Sequence, residues 1–185
     1  MSSRFALNLA RQHIHAGDVI AYPTESVIGL GCNPLDKLAV QKLLTLKQRS
    51  VDKGLILIAS HIEQLLPFLD ITEEQLQKLS QQTDKPTTWL VKASLLTPFW
   101  ITGNHTKIAV RITRHPLCEK LCDITGHPIV STSANRSGQP AAKTILKTRQ
   151  YFGDMIDYYL TDHIQGFKNP SEIRDLETDK IIRSS

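Results

Sequence analysis

The sequence predicts an α/β fold, a mixed sheet with helices laid over it, and three observations carry that prediction. Short apolar runs alternate with helical repeats along the chain. Several successive strand-like runs have no helix between them, which argues against a purely parallel, doubly wound sheet. No repeat, low-complexity stretch or linker divides the 185 residues. A chain of that length buries roughly two-thirds of its unfolded surface, so one domain spanning residues 1–185 is expected.

Taken in order, a first helix covers residues 4–15 and stops at Gly17. Val19-Ile20-Ala21-Tyr22 reads as a buried strand that runs into a loop at Pro23. Asp36 is placed to cap a second helix, with Leu38, Val40, Leu43, Leu44 and Leu46 on or near its inner face. Gly54 opens the continuous apolar strand 55–59, which needs cover on both faces. Helices are expected over 62–68 and 72–82, the second begun by the capping-box pattern Thr72-Glu73-Glu74-Gln75. Residues 87–91 and 108–112 look like strands, and Pro116 suits the first position of a helix running to about residue 125. Ile129-Val130 is a short strand entering Ser131-Thr132-Ser133-Ala134-Asn135. A helix near 144–152, a strand near 158–161 and a hairpin turning at Glu177-Thr178-Asp179 complete the chain.

Hydrophobic residues make up 41% and charged residues 22%, ordinary values for a globular protein. No apolar run approaches the roughly 20 residues of a membrane span, and the start lacks the apolar stretch of a secretion signal. Three cysteines, Cys32, Cys118 and Cys122, are few and odd in number, which suits free thiols. A cytoplasmic location without membrane contact is therefore expected. The net charge of +4 suits an anionic partner such as nucleotide or RNA without deciding between them.

Four segments gather polar groups where an apolar strand gives way to a loop, the place where open α/β sheets hold ligands. In Tyr22-Pro23-Thr24-Glu25-Ser26-Val27-Ile28-Gly29-Leu30-Gly31, the hydroxyls of Thr24 and Ser26 can hold a small polar substrate, and the glycines let it approach the backbone. The plainer reading is a strand-end turn. Lys47-Gln48-Arg49-Ser50-Val51-Asp52-Lys53 puts three cations in seven residues, enough to clamp a triphosphate or merely to complement a helix C-terminus. In Ser131-Thr132-Ser133-Ala134-Asn135-Arg136-Ser137-Gly138, hydroxyls and an amide can bind phosphate or ribose oxygens. A serine nucleophile with His115 or His127 as base is the rival there, weakened by the lack of a G-x-S-x-G elbow. In the tail, Ser171 and Arg183 can close a ligand site, while Arg174 can pair with Asp175 or Glu177 at the surface.

Two signals are discounted. His115, Cys118 and Cys122 share a helical face but fall short of the four ligands of structural zinc, so no metal site is expected. Gly29-Leu30-Gly31 is only a fragment of a dinucleotide fingerprint, and there is no phosphate-binding G-x-x-x-x-G-K-[ST] loop.

Taken together and in this order, the segments resemble the YrdC-like family of threonylcarbamoyl-AMP synthases, in its short single-domain TsaC form. The resemblance runs from about Val19 to Arg183. It is anchored by Tyr22-Pro23-Thr24-Glu25 with Gly29-Leu30-Gly31, by Lys47-x-Arg49, and by Ala109-Val110-Arg111. Ser131-x-Ser133-Ala134-Asn135-x-Ser137-Gly138-x-Pro140 and Asn169-Pro170-Ser171-Glu172-Ile173-Arg174-Asp175 complete it. Departures are Ile28 in place of an aromatic residue, Ser50 in place of a proline, and a partial match over residues 83–88.

The resemblance implies a twisted mixed sheet with flanking helices and a concave, positively charged cavity. It implies ATP contacts at Lys47, Arg49, Lys53, Ser133, Asn135 and Arg183, with Lys47 and Arg49 catalytic, and a threonine pocket at Thr24, Arg111, Ser131 and Ser171. The implied reaction joins L-threonine, bicarbonate and ATP, with Mg2+ carried on the phosphates, and a separate transferase complex then modifies the tRNA. Direct contact with tRNA is left open. The alternative class is a non-catalytic RNA-binding module of tRNA or rRNA maturation, which would use aromatic stacking platforms, yet aromatics are only 6% of the chain.

Overall fold

The computed structural model describes residues 3–81, 85–162 and 171–184. The chain begins with α1 (Arg4–His15), the hairpin β1 (Ile20–Pro23) and β2 (Ile28–Gly31), and α2 (Lys37–Lys47). Then come β3 (Ile56–Ala59), α3 (Glu73–Ser80), β4 (Thr87–Lys92), the single turn α4 (Phe99–Thr102) and β5 (Lys107–Ile112). It ends with α5 (Pro116–Thr125), β6 (Ile129–Ser133), α6 (Ile145–Phe152), β7 (Tyr158–Tyr159), β8 (Glu172–Asp175) and β9 (Ile181–Arg183). The nine strands form one sheet in the order β7-β1-β2-β6-β3-β5-β4-β8-β9. Pairing is mixed: β3–β5, β4–β8 and β1–β7 run parallel, and the remaining neighbours antiparallel.

Local chemistry sets the helix ends. Ser3 Oγ accepts from Ala6 N at the start of α1, and Asp36 accepts from Leu38 N and Ala39 N at the start of α2. Both halves of the capping box at α3 are made, Thr72 N donating to Gln75 Oε1 and Gln75 N to Thr72 Oγ1. Pro116 opens α5, and Gly126 ends it in the left-handed region.

Strand alternation sends side chains to two separate cores. Val19, Ala21, Ile28, Leu30, Leu57, Val110 and Val130 pack on one face with Leu43 and Leu44 of α2, Leu79 of α3 and Phe152 of α6. On the other face, Ile20, Tyr22, Ile58 and Ile129 pack beneath Leu7, Ala10 and Ile14 of α1 and Leu117, Cys118, Leu121 and Cys122 of α5. All three cysteines are free and buried. Two helices do not cover the whole of that second face, and the part left bare becomes the site described below. Among the described residues, no helix is long and apolar enough to cross a membrane.

Four expectations need correction. Residues 62–68 form two 3-10 turns, Ile62–Gln64 and Leu66–Phe68, rather than one helix, because Pro67 cannot donate the hydrogen bond that an α-helical path needs. Residue 82, the expected end of α3, lies outside the described residues, and the helix itself stops at Ser80. Leu38 faces outward, 76% exposed. Finally, Ile28-Gly29-Leu30-Gly31 is a strand rather than a loop. Gly31 answers to packing instead of ligand approach, since a Cβ there would stand 2.5 Å from Val130 O and 2.9 Å from Tyr22 Cε1. The strand pairs of β1 and β2 set Tyr22 opposite Gly29, so these glycines make the slot for a fully buried ring. We expect Gly31→Ala to lower stability by about 1–3 kcal/mol through overpacking, read as a lower urea midpoint at unchanged m-value.

Candidate active site

The uncovered part of the second face is a cleft of about 970 Å³, within the range of sites for ligands of nucleotide size. Its floor is one row across four paired strands, Ser131, Ile56, Ala109 and Leu90, which the register aligns side by side. Along β6 the same side reads Ile129, Ser131, Ser133: the first is under the helices and the other two open on the cleft. Along β5 it reads Lys107, Ala109, Arg111. The sequence thus turns from apolar to polar, at a spacing of two, where the helical cover ends.

Among the described residues, six Lys or Arg side chains line the cleft (Arg49, Lys53, Lys107, Arg111, Lys143 and Arg183), against a single carboxylate, Glu25. Arg111 and Glu25 are both buried, with Arg111 Nη2 3.2 Å from Glu25 Oε2. Thr113 Oγ1 donates to Glu25 Oε1 at 3.1 Å while it accepts from His115 N at 3.2 Å, which fixes the direction of its hydroxyl proton. Arg111 Nε is buried without an acceptor, an unmet demand of the kind that functional sites carry. Arg183 Nη2 donates to Ser171 O at 2.7 Å, and Ser171 Oγ lies 2.9 Å from Thr88 Oγ1. Partial burial, and then the neighbouring Arg111, lower the proton affinity of Arg183. These groups form one end of the cleft. Thr24 joins it from the β1–β2 turn, its hydroxyl bonded to Val27 O at 2.7 Å.

The other wall follows α2, which Gln48 ends in a left-handed conformation. Arg49 Nη2 donates to Gly54 O at 3.0 Å, and burial lowers its proton affinity too. Ser50 closes the turn that follows: its hydroxyl accepts from Asp52 N and donates to Asp52 Oδ2 at 2.7 Å. That cap supplies locally some of the order a proline would have imposed. Lys53 and Lys143 face the cleft with no ion pair among the described residues, whereas Lys107 is engaged by Asp175 at 2.7 Å and Glu177 at 3.1 Å.

Eight of the ten residues named from sequence line this cleft; Lys47 and Asn135 do not. The ammonium of Lys47 is 4% exposed and donates to the backbone carbonyls of Ser133 and Asn135, while Lys47 O accepts from Ser137 N at 2.8 Å. Asn135 is spent locally, accepting from Ser133 Oγ at 2.6 Å and donating to Gln139 O at 2.8 Å. The two residues stitch the wall that carries Ser133. Burial, followed by the charge of Arg49, pulls the Lys47 pKa down to about 8.

Sequence reasoning passed over Glu25 and Lys143. Glu25 was visible within the first polar segment, but Lys143 carries no local signal; it lines the cleft because Ala142 is pinned between Ile28 and Ala134. Residues 169–170 lie outside the described residues. Arg174 pairs with Glu172 rather than with Asp175 or Glu177. Neither His115 nor His127 lines the cleft, so a serine nucleophile there lacks the base proposed for it. Cys118 and Cys122 direct their thiols at Pro23 O and Ile58 O, as small core residues do. Among the described residues, no three His, Cys, Asp or Glu side chains group as metal ligands.

Residues 12–185 match the family model Sua5_yciO_yrdC, described as "Telomere recombination". A "Threonylcarbamoyl-AMP synthase" of Pseudomonas fluorescens is 48% identical over 186 residues, covering all of both chains. The crystal structure of P. abyssi Sua5 complexed with L-threonine matches with a TM-score of 0.87 and 29% identity over 94% of this chain and 51% of that one. The chain thus spans about half the length of that neighbour. E. coli YciO shares the fold, with a TM-score of 0.81 at 21% identity over 98% of this chain and 89% of that one.

The shifted lysine gives a test of the wall. The folded chain releases the Lys47 proton near pH 8 and an unfolded chain near 10.5, so the unfolded state holds more protons between these values. The burial cost of the ammonium is therefore complete below pH 8 and falls away as pH rises. Relative to Lys47→Met, the wild type should gain stability between pH 7 and pH 10.5, by an amount on the order of 3 kcal/mol, in paired urea unfolding curves.

Proposed function

The chain belongs to the Sua5/YciO/YrdC family, and from that footing we propose that it makes threonylcarbamoyl-AMP from L-threonine, bicarbonate and ATP, releasing pyrophosphate. The product supplies threonylcarbamoyladenosine modification of tRNA. The reading rests on one observation above all: a single cleft holds two groups of cations with different surroundings. Arg111 and Arg183 stand among hydroxyls at one end, while Arg49 and Lys53 line the wall that follows α2, whose last residue, Lys47, holds the backbone of Ser133.

The first group suits an amino acid. Arg111, oriented by Glu25, offers a planar fork for the α-carboxylate, with Ser131, Ser171 and Thr24 around it. The second suits the phosphates of ATP, which bring the countercharge that the desolvated Arg49 lacks. The threonine amine takes up CO2 derived from bicarbonate to give an N-carboxylate, and the proton the nitrogen sheds joins the hydroxide left by bicarbonate as water. Its oxygen then attacks the α-phosphorus, and pyrophosphate leaves with the electron pair of the broken P–O bond. The protein's part is alignment of two anions and neutralisation of the charge that builds on the phosphates. Lys47 and Asn135 serve by holding the segment that presents Ser133.

Magnesium belongs to this scheme as the counter-ion of ATP, a component of the substrate. Glu25, the one carboxylate lining the cleft among the described residues, is already committed to Arg111 and Thr113. We place the reaction in the cytoplasm, upstream of a separate transferase that carries the threonylcarbamoyl group to tRNA. A non-catalytic RNA-binding role is less well supported, since among the described residues no Phe, Tyr or Trp lines the cleft to stack on bases.

Purified protein given Mg-ATP should release pyrophosphate only when both threonine and bicarbonate are present, with a product of threonylcarbamoyl-adenylate mass. Arg111→Lys, which keeps the charge against Glu25 but loses the fork, should raise KM for threonine about tenfold or more with little change for ATP. Release by the wild type that ignores threonine would overturn the reading.

A further inference from the structure

The wall that carries Arg49 and Lys53 is not self-supporting. Its turn, residues 50–54, is interlocked with α4 and the residue after it, a segment remote in sequence. Leu55 N donates to Ile101 O at 2.9 Å, and Asn104 N donates to Asp52 O at 3.1 Å. Between these two bonds sit Gly54 and Gly103, each against the main chain of the opposite segment. Gly103 has φ 59° and ψ −144°, and Gly54 has φ 60° and ψ 174°, a region open in practice only to glycine. A Cβ on Gly103 would stand 2.4 Å from Asp52 O and 2.7 Å from Gly54 N. One on Gly54 would stand 2.8 Å from Thr102 O. Neither contact can be relieved by a side-chain rotation, because the atoms met belong to the main chain.

The consequence reaches a guanidinium. Arg49 is oriented by two carbonyls of this same turn, Gly54 O at 3.0 Å and Lys53 O at 3.4 Å. Any shift of residues 52–54 away from Gly103 therefore moves the acceptors that aim Arg49, and moves Lys53 with them. The other end of the cleft is insulated from such a shift. Arg111 is held by Glu25, and Ser171 and Arg183 are held by Thr88 and by each other. The short helix is in turn anchored outward, Trp100 Nε1 donating to Pro34 O at 3.0 Å.

We propose that Gly103 is a positioning residue for nucleotide: its missing side chain lets α4 seat the 50–54 turn so that Arg49 and Lys53 face the phosphates. The proposal rests on the assignment of that wall to ATP. It separates two affinities that a general loss of structure would move together, because Gly103 acts on one end of the cleft only.

The test is Gly103→Ala in the full chain, assayed by pyrophosphate release with ATP and threonine varied in turn, alongside thermal melting. The expected result is a KM for ATP raised about tenfold or more (~1.4 kcal/mol), with KM for threonine within about twofold of wild type. Trp100→Phe, a milder change that loosens the same helix without backbone strain, should shift KM for ATP in the same direction by about two- to fivefold. Unchanged ATP constants in both variants, or parallel rises for ATP and threonine, would overturn the proposal. The reading of the cleft fails differently: wild-type protein would then show no saturable dependence on ATP at all.

Discussion

Everything in this molecule hangs on the double antiparallel pairing of β6. It is the strand at which the β7-β1-β2 part of the sheet meets the part that runs from β3 to β9. On one side Ser131, Val130 and Ile129 pair with Ile56, Leu57 and Ile58; on the other, Thr132 and Ser133 pair with Leu30 and Gly29. Five residues thus satisfy main-chain groups on both flanks, which a buried strand must do. The pairing also places Ser131 and Ser133 at the edge of the helical cover. A strand that served only as a core element would have continued the apolar series begun by Ile129. This one stops being apolar where α1 and α5 stop covering it.

The electrostatics of the cleft follow from the same geometry. Cations set against a low-polarity wall lose part of their hydration, and here Arg49 and Arg183 both hold their protons less tightly for that reason. A folded chain can tolerate that cost where it is shared out. Glu25 balances Arg111, Asp175 and Glu177 balance Lys107, and main-chain carbonyls receive Lys47 and Arg49. What remains among the described lining residues is more cationic side chains than carboxylates, a setting that suits the phosphate-bearing ligand proposed above.

Much of this was legible in the sequence, for definite reasons. Helices declared their starts by side-chain caps at Asp36, Thr72 and Thr144 and by the proline that opens α5 at Pro116, and strands of continuous apolar residues declared themselves by composition. Polar residues clustered at strand and helix ends pointed to Thr24, Arg49, Lys53, Ser131, Ser133, Ser171 and Arg183, while Arg111 stood out only through the family resemblance. The failures have physical causes as well. In β2, two glycines break the apolar pattern, and the reason lies across the sheet in the ring of Tyr22 and the carbonyl of Val130. Lys47 sits in the same short motif as Arg49, yet one side chain turns into the wall and the other onto the cleft; helix termination at Gln48 decides this, and spacing alone does not reveal it. Lys143 owes its place to hydrogen bonds of its neighbour with segments over a hundred and about ten residues away, Ile28 and Ala134.

The C-terminal hairpin carries a consequence for how the molecule can fail. Ser171, just before β8, and Arg183, in β9, close one end of the cleft from the sheet edge, with β8 laid parallel against β4 and β9 beyond it. Among the described residues, both hydrophobic cores, by contrast, draw almost entirely on residues up to Leu160, Leu176 being the exception. The pocket thus takes its end wall from the edge of the sheet, whereas the scaffold draws on its centre. A lesion in β8 or β9 reaches Ser171 and Arg183 before it reaches either core, so loss of the site and loss of the fold are separable events.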